Sequence, residues 1–535
     1  MCLSLKNSIM SILSEKNHPY NGCMARILKY RWLILILALA LGLRMIHLSG
    51  SFWLDEAAQA IESSRPFSQQ LQIAQDFQPP LLHLILHPAT WFGHSEWWLR
   101  LIGAVIPGLM TILFTYKIAK EHWSERVAII ASLLLATSSL HLYFSQELRP
   151  YALPAMLAVV SWWLLLRAWK NQKEKKWPIA LIVFSALGLF STYLYPFLLI
   201  SQWLVALFLF SNKRLKMTGW FFVTGLLFLP WLPFFLNQLQ IGQTLRTTLP
   251  GWELVVSTPQ LKAPILVVAK FLFGIVDLEI GFMFVTTAAL ILGVLAYLIW
   301  QAWASSQVTN REKLMVVVSW FFLPLLLAWL ISWIVPVLQP KRVLFLLPAF
   351  YLLASIGIDW GLRQKRIITK RLGQLTFACL LAINIWGVAQ YATNPLLQRE
   401  DWREAIRTLK ADFQSSETIV VFSFPESFAP WRWYGNDEIT TLGIGPVGSL
   451  EMSEISDLLK PINEYKYVIS FDYLTDLTDP QKRVHEEILK YGFVEAELYD
   501  YPNIGYIRTY VRPEELLSQL PLLNNNSRHV KMVSR

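Results

Sequence analysis

The sequence is poor in charged residues for its length. Of its 535 residues only 16% are charged, whereas 54% are hydrophobic. A typical soluble domain has about 25% charged residues, so this composition excludes an ordinary soluble globular protein. Cysteine is also scarce, and Cys2, Cys23 and Cys379 lie outside the regions predicted to be exported, so we expect no disulfide framework. The sequence contains neither a Gly-rich phosphate loop nor an internal repeat of fixed period.

Long apolar runs dominate the first 392 residues. A transmembrane helix needs about 20 mostly apolar residues, and 24 Trp and 19 Tyr residues suit many membrane interfaces. The two runs that meet at Tyr195-Pro196 are the least distinctly separated. If they formed one span, every later loop would be predicted on the opposite side of the membrane. The sequence predicts about eleven spans, near 32–50, 98–116, 127–144, 151–168, 178–194, 195–210, 218–236, 281–300, 315–335, 343–360 and 374–391.

Basic residues lie in short runs between the apolar segments. The net charge of +10 could indicate a nucleic-acid partner, but this distribution is typical of cytoplasmic loops in a multi-span protein, so we expect none. The alternate sets of loops carry about 18 and 7 Lys and Arg residues. The positive-inside rule places the richer set in the cytoplasm. The sequence therefore predicts a multi-pass cell-membrane protein with a cytoplasmic N-terminus and an extracytoplasmic C-terminus.

The chain divides into four predicted parts. Residues 1–31 form a cytoplasmic segment, and the apolar run after them is too long for a signal-peptide core, so we expect a retained first span. Residues 32–392 form the transmembrane domain, whose outer loop spans 51–97. Residues 393–515 are charged and predict a small extracytoplasmic α/β domain, and residues 516–535 predict a disordered tail.

Several shorter elements can be placed as well. The apolar run at 81–92 is too short to span and predicts an interfacial or re-entrant helix. The outer loop at 237–280 is expected to lie along the membrane surface and cover the site. In the C-terminal part, Asp479 is expected to cap a helix. The periodicity there predicts strands near 418–424, 466–471 and 504–511 and helices near 401–409 and 480–491.

Two adjacent carboxylates, Asp55 and Glu56, follow the first predicted span directly. One interpretation is a solvated helix start near Ala57, with Asp55 as its N-cap. The other is catalysis, because sugar transfer to an alcohol needs a carboxylate that accepts the hydroxyl proton. Adjacent helical residues point about 100° apart, so one of the two would face a substrate, and we favour Asp55.

Asp76 and Gln78 lie beside a Pro-Pro pair in the same predicted outer loop. Proline fixes the backbone φ angle, so this segment predicts a rigid turn. The turn could simply lead into the interfacial helix. It could also hold Asp76 or Gln78 against a sugar hydroxyl.

Glu147, Arg149 and Tyr151 lie in a very short loop that is predicted to face the same side. Arg149 could pair with Glu147 and fasten two spans. Alternatively it could bind phosphate, because its planar guanidinium makes bidentate contacts to such anions. We include Glu147 and Tyr151 as candidate substrate-binding residues beside it.

Lys341 and Arg342 lie at the outer entrance of a span, against the positive-inside trend. They could extend to lipid headgroups or bind a donor phosphate at the membrane surface. Arg65 and Arg100 are weaker candidates, and Arg100 could instead pair with a neighbouring acid. The histidines at 83, 87, 94 and 141 form no convincing metal motif, so nothing in the sequence requires a metal cofactor.

Together these motifs resemble the multi-span glycosyltransferases of the GT-C fold, in the family 39-like branch with protein O-mannosyltransferases and lipid A aminoarabinose transferases. The resemblance rests on Trp53-Leu54-Asp55-Glu56, Asp76-Phe77-Gln78-Pro79-Pro80-Leu81, Trp98-Leu99-Arg100-Leu101 and Ser145-Gln146-Glu147-Leu148-Arg149-Pro150-Tyr151. It covers about residues 30–200 well and the later spans only by pattern.

The resemblance implies an α-helical polytopic protein that transfers a sugar from a polyprenyl-phosphate donor to a hydroxyl of a protein, lipid or glycan. It implies Asp55 as the general base, and Arg149 and Arg342 as phosphate ligands. Gln78 departs from the family pattern, because many relatives have His there, and a proton-transfer role at this position is in doubt.

Two other functions are compatible with many spans. A transporter or flippase would also have intramembrane polar residues, but it should show inverted repeats and broken helices near the midplane. A receptor or assembly protein would bind through its outer domain and would function without Asp55. The acids of this chain cluster in an outer loop, which favours the transferase.

Overall fold

The computed structural model describes residues 19–73, 76–171, 173–209, 214–248, 261–277, 279, 281–435, 438–445 and 447–515. The predicted tail at 516–535 and most of the predicted N-terminal segment lie outside these residues. In the membrane part the helices are α1 Pro19–Arg44, α2 Leu54–Ser64, α3 Leu81–Thr90, α4 Glu96–His122, α5 Glu125–Thr137, α6 Ser139–Phe144, α7 Ala152–Lys170, α8 Lys176–Leu189, α9 Tyr195–Leu209, α10 Arg214–Phe228, α11 Leu232–Thr248, α12 Ala263–Phe273, α13 Phe282–Ala304, α14 Val308–Ile331, α15 Leu347–Leu362 and α16 Ile367–Thr393.

Each predicted apolar run coincides with one or more helices over most of its length. Within the described residues, seven helices are long and apolar enough to cross a membrane, and four apolar helices are shorter. The chain is therefore a polytopic α-helical protein as predicted, while the number of eleven spans stays a prediction. The long candidates are Glu96–His122, Ala152–Lys170, Arg214–Thr244, Phe282–Ala304, Asn310–Ile331, Leu344–Leu362 and Ile367–Thr393.

Burial distinguishes the centre of the bundle from its lipid side. The most apolar window of Leu344–Leu362 is 94% buried, whereas that of Arg214–Thr244 is only 11% buried. An apolar helix that packs against little protein has to be covered by lipid, since water would not solvate it. The span containing α15 is thus central, and α10 and α11 lie at the periphery.

Two predicted boundaries differ from the structure, and the doubtful division near Tyr195 agrees with it. The first helix begins at Pro19 and ends at Arg44, so the predicted span 32–50 ends in turns. The predicted span 127–144 is broken at Ser138, whose hydroxyl accepts a hydrogen bond from the His141 backbone N–H at 3.4 Å and starts α6. The doubtful division near Tyr195 is real, because α8 and α9 are separate helices.

The C-terminal part is the predicted α/β domain. Its helices are α17 Trp402–Asp412, α18 Ala429–Tyr434, α19 Met452–Leu459, α20 Thr475–Thr478 and α21 Arg483–Lys490. Its strands are β1 Thr418–Phe422, β2 Thr440–Gly443, β3 Tyr467–Phe471, β4 Val494–Tyr501 and β5 Gly505–Val511. They form one sheet in the order β2-β1-β3-β5-β4, in which β1 runs parallel to β2 and β3 while β5 is antiparallel to β3 and β4.

Both faces of this sheet are covered. All five residues of β1 are buried, as is typical of a parallel strand between two helical layers. Trp402 of α17 packs with Phe422 on one face, and Ile455 of α19 packs with Ile419 on the other. The domain therefore has two apolar cores.

The helix predicted near 480–491 begins at Arg483. The preceding Lys482 has a φ of 54°, a left-handed conformation that a helix cannot include. Even so, the Asp479 carboxylate accepts hydrogen bonds from the backbone N–H groups of Arg483 and Val484, each at 3.0 Å. Asp479 is therefore not the N-cap residue that was expected, since that position is Lys482, but its carboxylate satisfies backbone N–H groups of the first helical turn.

The C-terminal domain packs directly on the loop after α1. The Tyr434 hydroxyl accepts a hydrogen bond from the Phe52 backbone N–H at 2.8 Å and donates one to Glu96 at 2.9 Å. Arg403 forms an ion pair with Glu96 at 2.9 Å and donates to the Ser49 carbonyl at 3.1 Å. This interface places the start of the soluble domain beside the predicted catalytic loop.

Candidate active site

A buried ion pair anchors the loop that carries Asp55. Glu56 and Arg100 are fully buried, and the guanidinium donates to the two carboxylate oxygens at 2.9 and 2.5 Å. Glu56 also accepts a hydrogen bond from the Leu148 backbone N–H at 2.7 Å. The pair thus joins the first loop, α4 and the turn at 145–151. Arg100 further donates to the backbone carbonyls of Leu48, Gly50 and Ser51.

The end of α1 is bonded to the same turn. The buried Arg44 donates through Nε to the Ser145 hydroxyl at 2.8 Å, and its Nη2 lies 2.6 Å from His141 Nδ1. The Gln146 amide donates to the Arg44 carbonyl at 2.8 Å. Helix α4 can approach closely because a Cβ atom at Gly108 would overlap the Ser145 side chain. The Ser-Gln part of the motif is therefore structural.

Arg149 lies between two carboxylates. Its Nη1 donates to Asp76 Oδ1 at 2.8 Å, and its Nε lies 3.8 Å from Asp55 Oδ2. The Asp55 side chain is 38% exposed, while those of Arg149 and Asp76 are 12% and 8% exposed. Burial raises the pKa of Asp76, but the Arg149 charge and a hydrogen bond with His83 outweigh it and lower the pKa overall. Asp55 is therefore the acid of this group that a substrate can reach.

A strained turn brings Asp76 and Gln78 together. Phe77 between them has a φ of 50°, which is unusual for a bulky residue and costs on the order of 1–3 kcal/mol. The Gln78 amide donates to Asp76 Oδ2, and also to Gln59 Oε1 at 2.7 Å. His83 Nε2 lies 2.8 Å from the same Asp76 oxygen. These contacts hold the turn in its strained conformation.

Helix α11 packs beside this turn, within the segment predicted to cover the site. Its Gln238 donates to the carbonyls of Ile73 and Gln78 at 2.7 and 3.2 Å. A cavity of about 290 Å³ lies here between the outer loop and α11. Its lining is partly apolar and partly polar and consists of Leu71, Gln72, Ile73, Trp231, Phe234, Asn237 and Gln238.

Lys341 and Arg342 supply positive charge without a matching acid. Lys341 Nζ lies 5.8 Å from the ring centre of Trp53 and 5.6 Å from that of Tyr151. Arg342 donates to a backbone carbonyl at 3.3 Å. Neither residue forms an ion pair in the described part of the chain, and burial lowers the pKa of Arg342. An anion bound beside them would relieve this uncompensated charge.

Glu147 is a buried acid with an unmet hydrogen-bonding requirement. Its Oε1 has no hydrogen-bond partner among the described residues, and its Oε2 lies 3.9 Å from Arg399. Burial raises the pKa of Glu147 to about 7, although the charges of Arg399 and Lys341 oppose this shift. Glu147 therefore titrates near neutral pH.

The linker to the C-terminal domain contributes Arg399 and Glu400. Arg399 lies 3.7 Å from Glu56, and burial opposes its charge while nearby anionic groups raise its pKa overall. Glu400 accepts hydrogen bonds from Trp402 Nε1 at 2.6 Å and from the Tyr473 hydroxyl at 2.9 Å. Burial raises the pKa of Glu400 to about 7, and the Asp55 charge adds to the shift.

Two expectations for the first loop need correction. Glu56, proposed as catalytic together with Asp55, is fully buried and bonded through both oxygens to Arg100. Its role is structural, and the alternative reading of Arg100 as the partner of an acid is confirmed. Asp55 is not an N-cap, because α2 begins at Leu54 and Asp55 lies in its first turn.

The turn at 145–151 also differs from expectation. Arg149 pairs with Asp76 and not with Glu147. The alternative in which an Arg149–Glu147 pair fastens two spans is therefore wrong. Asp55, Asp76, Gln78 and Arg149 do lie together as predicted. Tyr151 contacts Lys341 through its ring. Whether these residues bind substrate stays a prediction.

Sequence reasoning missed four residues of the site: Glu62, His83, Arg399 and Glu400. Of these, Glu62 lies behind Asp76, with its Oε2 3.8 Å from His83 Nε2. No role was predicted for His83, yet it is fully buried against Asp76. One signal was available for the last two, since Arg399-Glu400 follows the last apolar run as Asp55-Glu56 follows the first. Glu62 has no distinguishing context in the sequence.

Comparison with solved structures identifies the fold. ArnT from Cupriavidus metallidurans in the apo state matches with a TM-score of 0.53 and 12% identity, covering 91% of this chain and 99% of ArnT. The same protein bound to undecaprenyl phosphate matches with a TM-score of 0.54 and 12% identity, over 90% and 98% of the two chains.

The archaeal oligosaccharyltransferase AglB from Archaeoglobus fulgidus, in complex with an inhibitory peptide and a dolichol-phosphate, is also similar. Its TM-score is 0.53 at 13% identity, covering 91% of this chain and 75% of AglB. At such identities the likeness shows the fold. The chain thus has the GT-C fold, as its motifs implied.

At the sequence level, residues 78–236 match the family model described as dolichyl-phosphate-mannose-protein mannosyltransferase. The matched stretch includes Gln78, Glu147 and Arg149 but begins after Asp55 and ends before Lys341. No curated protein sequence matches the chain.

The buried pair leads to a stability prediction. Arg100→Ala leaves the Glu56 carboxylate buried without its counterion, which typically costs about 3–5 kcal/mol. We expect a large fall in the thermal unfolding midpoint of the detergent-solubilised protein. Arg407→Ala, which removes an exposed pair with Glu404, serves as the control and should change the midpoint little. Equal midpoints for the two variants would contradict the anchoring role.

Glu147 leads to a prediction about pH. Its folded-state pKa of about 7 lies above its ordinary value, so the folded protein binds the proton more tightly than the unfolded chain. This contribution to stability is present at low pH and is lost as pH rises through 7. Glu147→Gln should flatten the decline in unfolding midpoint between about pH 5 and 8.

The control for this experiment is Glu438→Gln, which removes a carboxylate that is 55% exposed. It should follow the wild-type pH dependence. If Glu147→Gln declines as steeply as the wild type, Glu147 is not the titrating group.

Proposed function

We propose that this protein is a membrane glycosyltransferase that moves a hexose or pentose from a polyprenyl-phosphate donor to an acceptor hydroxyl. The observation that carries the proposal is the arrangement around Asp55. This reachable carboxylate lies beside Arg149 and within electrostatic range of Arg342, which forms no ion pair with any residue that the structure describes. The base would accept the proton of the acceptor hydroxyl. The cation would stabilise the negative charge that develops on the leaving phosphate.

The chemistry needs few groups. Asp55 accepts the proton of the acceptor hydroxyl while its oxygen attacks the anomeric carbon of the donor sugar. The bond between that carbon and the phosphate oxygen breaks, and the polyprenyl phosphate leaves with the bonding electron pair. Because the leaving group gains negative charge, fixed cations stabilise the transition state more than an acid would.

Lys341 and Arg342 are the proposed ligands of the donor phosphate. Arg149 is already engaged by Asp76, so we assign it mainly to positioning the two aspartates beside one another and offsetting their mutual repulsion. Its Nε has no hydrogen-bond partner among the described residues and can serve as an additional donor to the phosphate or the sugar. This division differs from the phosphate role first expected of Arg149.

Asp76 and Gln78 are proposed to bind sugar or acceptor hydroxyls from the strained turn. Glu147 and Tyr151 would contact the substrate near Lys341. The cavity beside α11 suits the apolar part of a donor or acceptor, since aromatic and aliphatic side chains contribute to its lining.

The comparisons support the donor class. The ArnT structure contains undecaprenyl phosphate, and the AglB structure contains dolichol-phosphate and a peptide. The matching family model describes an enzyme that uses dolichyl-phosphate-mannose. By analogy, we propose a lipid-phosphate sugar as the donor and a protein, lipid or glycan as the acceptor.

The location of the site favours transfer over transport. Asp55 follows α1, Arg149 lies between α6 and α7, Arg342 precedes α15, and Glu400 follows α16. These positions are all at helix ends, whereas a transporter site would be near the middle of the spans. The distribution of basic residues further supports an extracytoplasmic face for this site and for the C-terminal domain.

Asp55→Asn is the direct test of the base. The amide keeps the shape of the carboxylate but cannot accept the proton, so we expect transfer to fall by at least about 100-fold. The assay uses purified protein in liposomes with a panel of polyprenyl-phosphate sugars, and mass spectrometry identifies the glycosylated product.

Asp412→Asn, a change in the soluble domain away from the loop, is the matched control and should retain wild-type transfer. Donor binding and the unfolding midpoint of Asp55→Asn should stay near wild-type values. Retained transfer by this variant would refute the assignment of Asp55 as the base.

Lys341→Ala and Arg342→Ala test the phosphate site. Each variant removes one cation that forms no ion pair among the described residues, so the donor KM should rise by about tenfold or more, while the unfolding midpoint changes little. Arg363→Ala, on the opposite end of α15, controls for a general loss of positive charge. An unchanged donor KM in both variants would exclude these residues as phosphate ligands.

A further inference from the structure

Glu400, in the linker between α16 and α17, connects the soluble domain with the start of α2. Its carboxylate accepts hydrogen bonds from Trp402 Nε1 at 2.6 Å and from the Tyr473 hydroxyl at 2.9 Å. The backbone N–H of Leu54, the first residue of α2, also lies against this carboxylate and favours its charged form. Two side chains of the soluble domain thus hold an acid against the helix that carries Asp55.

The start of α2 has no side-chain cap from its own segment. Trp53 occupies the N-cap position, and its side chain makes no capping hydrogen bond. The first N–H groups of a helix have no intrahelical acceptor, and they attract negative charge. Glu400 supplies such a charge from a distant part of the chain. The conformation of this helical turn therefore depends on a contact that the soluble domain supports.

Apolar contacts hold the same few residues. The Leu54 side chain packs against the core of the soluble domain that includes Trp402. The Phe52 ring makes an edge-to-face contact with Trp433, with the ring centres 5.7 Å apart. Because both contacts lie directly before Asp55 in the chain, the soluble domain fixes the backbone from which the Asp55 side chain extends.

The charges of Asp55 and Glu400 also act on one another. The Asp55 charge opposes ionisation of Glu400, and such an interaction between two acids is reciprocal. The titratable groups that face Glu400 are Asp55 from α2 and Tyr473 from the segment after β3, and Glu400 forms no ion pair with any residue that the structure describes. A negative charge beside a base favours the transfer of a proton to that base, while Arg149, 3.8 Å from Asp55, acts in the opposite sense.

We propose that Glu400 is a positioning residue for the transfer reaction. Held by Trp402 and Tyr473, it fixes the first turn of α2 and places a second negative charge beside Asp55, which favours uptake of the acceptor proton by Asp55. Glu400 itself does not need to touch the substrate. This inference rests on the proposed function, because it concerns the proposed base, and it gives the soluble domain a role in catalysis that the sequence did not indicate.

Glu400→Gln tests this role, because the amide keeps the size of the carboxylate but removes its charge. In liposomes with the polyprenyl-phosphate sugar that supports transfer, kcat should fall by about tenfold or more, while the donor KM changes little. Burial raises the pKa of Glu400 to about 7, so the wild-type kcat should rise as pH increases through 7 and Glu400 becomes charged. Glu147 titrates in the same range but is present in both proteins, so the part of this rise that Glu400→Gln loses belongs to Glu400.

Tyr473→Phe is a second variant, which removes one hydrogen bond to Glu400 from within the soluble domain. Its kcat should fall by about fivefold, again with little change in the donor KM. The matched controls are Tyr499→Phe, which removes a hydroxyl bonded to Asp412 elsewhere in the same domain, and Glu404→Gln, which removes a half-exposed acid of α17. Both controls should keep the wild-type kcat and pH profile.

A further readout needs no substrate. Hydrogen–deuterium exchange of the amides at residues 52–57 should be faster in Glu400→Gln and in Tyr473→Phe than in the wild type, because the first turn of α2 is held less firmly. The inference is overturned if both variants match the wild type in this exchange, or if both match it in kcat and pH profile. Transfer retained by Asp55→Asn would instead count against the proposed function, and the exchange rates would still show whether Glu400 holds the start of α2.

Discussion

The site depends on the buried ion pair between Arg100 and Glu56. Neither charge would be stable alone in this environment, since removing either leaves the other desolvated without a counterion. The pair fixes the first turn of α2, so the preceding residue, Asp55, points away from the bundle interior. The same Glu56 carboxylate binds the Leu148 backbone, which sets the position of Arg149 relative to Asp55. Glu56 thus orients both Asp55 and the neighbouring Arg149 guanidinium.

Charge is distributed unevenly around this anchor. On one side Arg149 compensates Asp55 and Asp76, and on the other Lys341 and Arg342 have no ion-pair partner in the described chain. The side with Arg149 and the two aspartates is suited to hold a neutral hydroxyl beside a carboxylate. The side with Lys341 and Arg342 is suited to hold an anion. Because Arg399 and Glu400 belong to the linker of the soluble domain, that domain is part of the site and not an independent appendage.

Local signals account for what could be predicted of the fold. Apolar runs identified the membrane helices. Short hydrophobic runs identified β1 and β3, because burial on both faces leaves continuous hydrophobic sequence, and β-branched and aromatic residues identified β5. The strands β2 and β4 were missed for the same reason. They lie at the two edges of the sheet, where β2 has only four residues and β4 is largely exposed and acidic, so neither has a buried-strand pattern.

The sequence by itself determined the class of protein, the spans as apolar runs and the set of polar loops that carry chemistry, because hydrophobicity and loop charge are properties of neighbouring residues. Only the tertiary structure decided which acid of the pair at 55–56 is reachable, that Arg149 binds Asp76, and that His83 and Glu400 lie beside the aspartates. Those outcomes depend on which distant segments meet, and the free energy of a buried charge is set by the partner it meets there. The local sequence pattern therefore does not predict which distant residues pair.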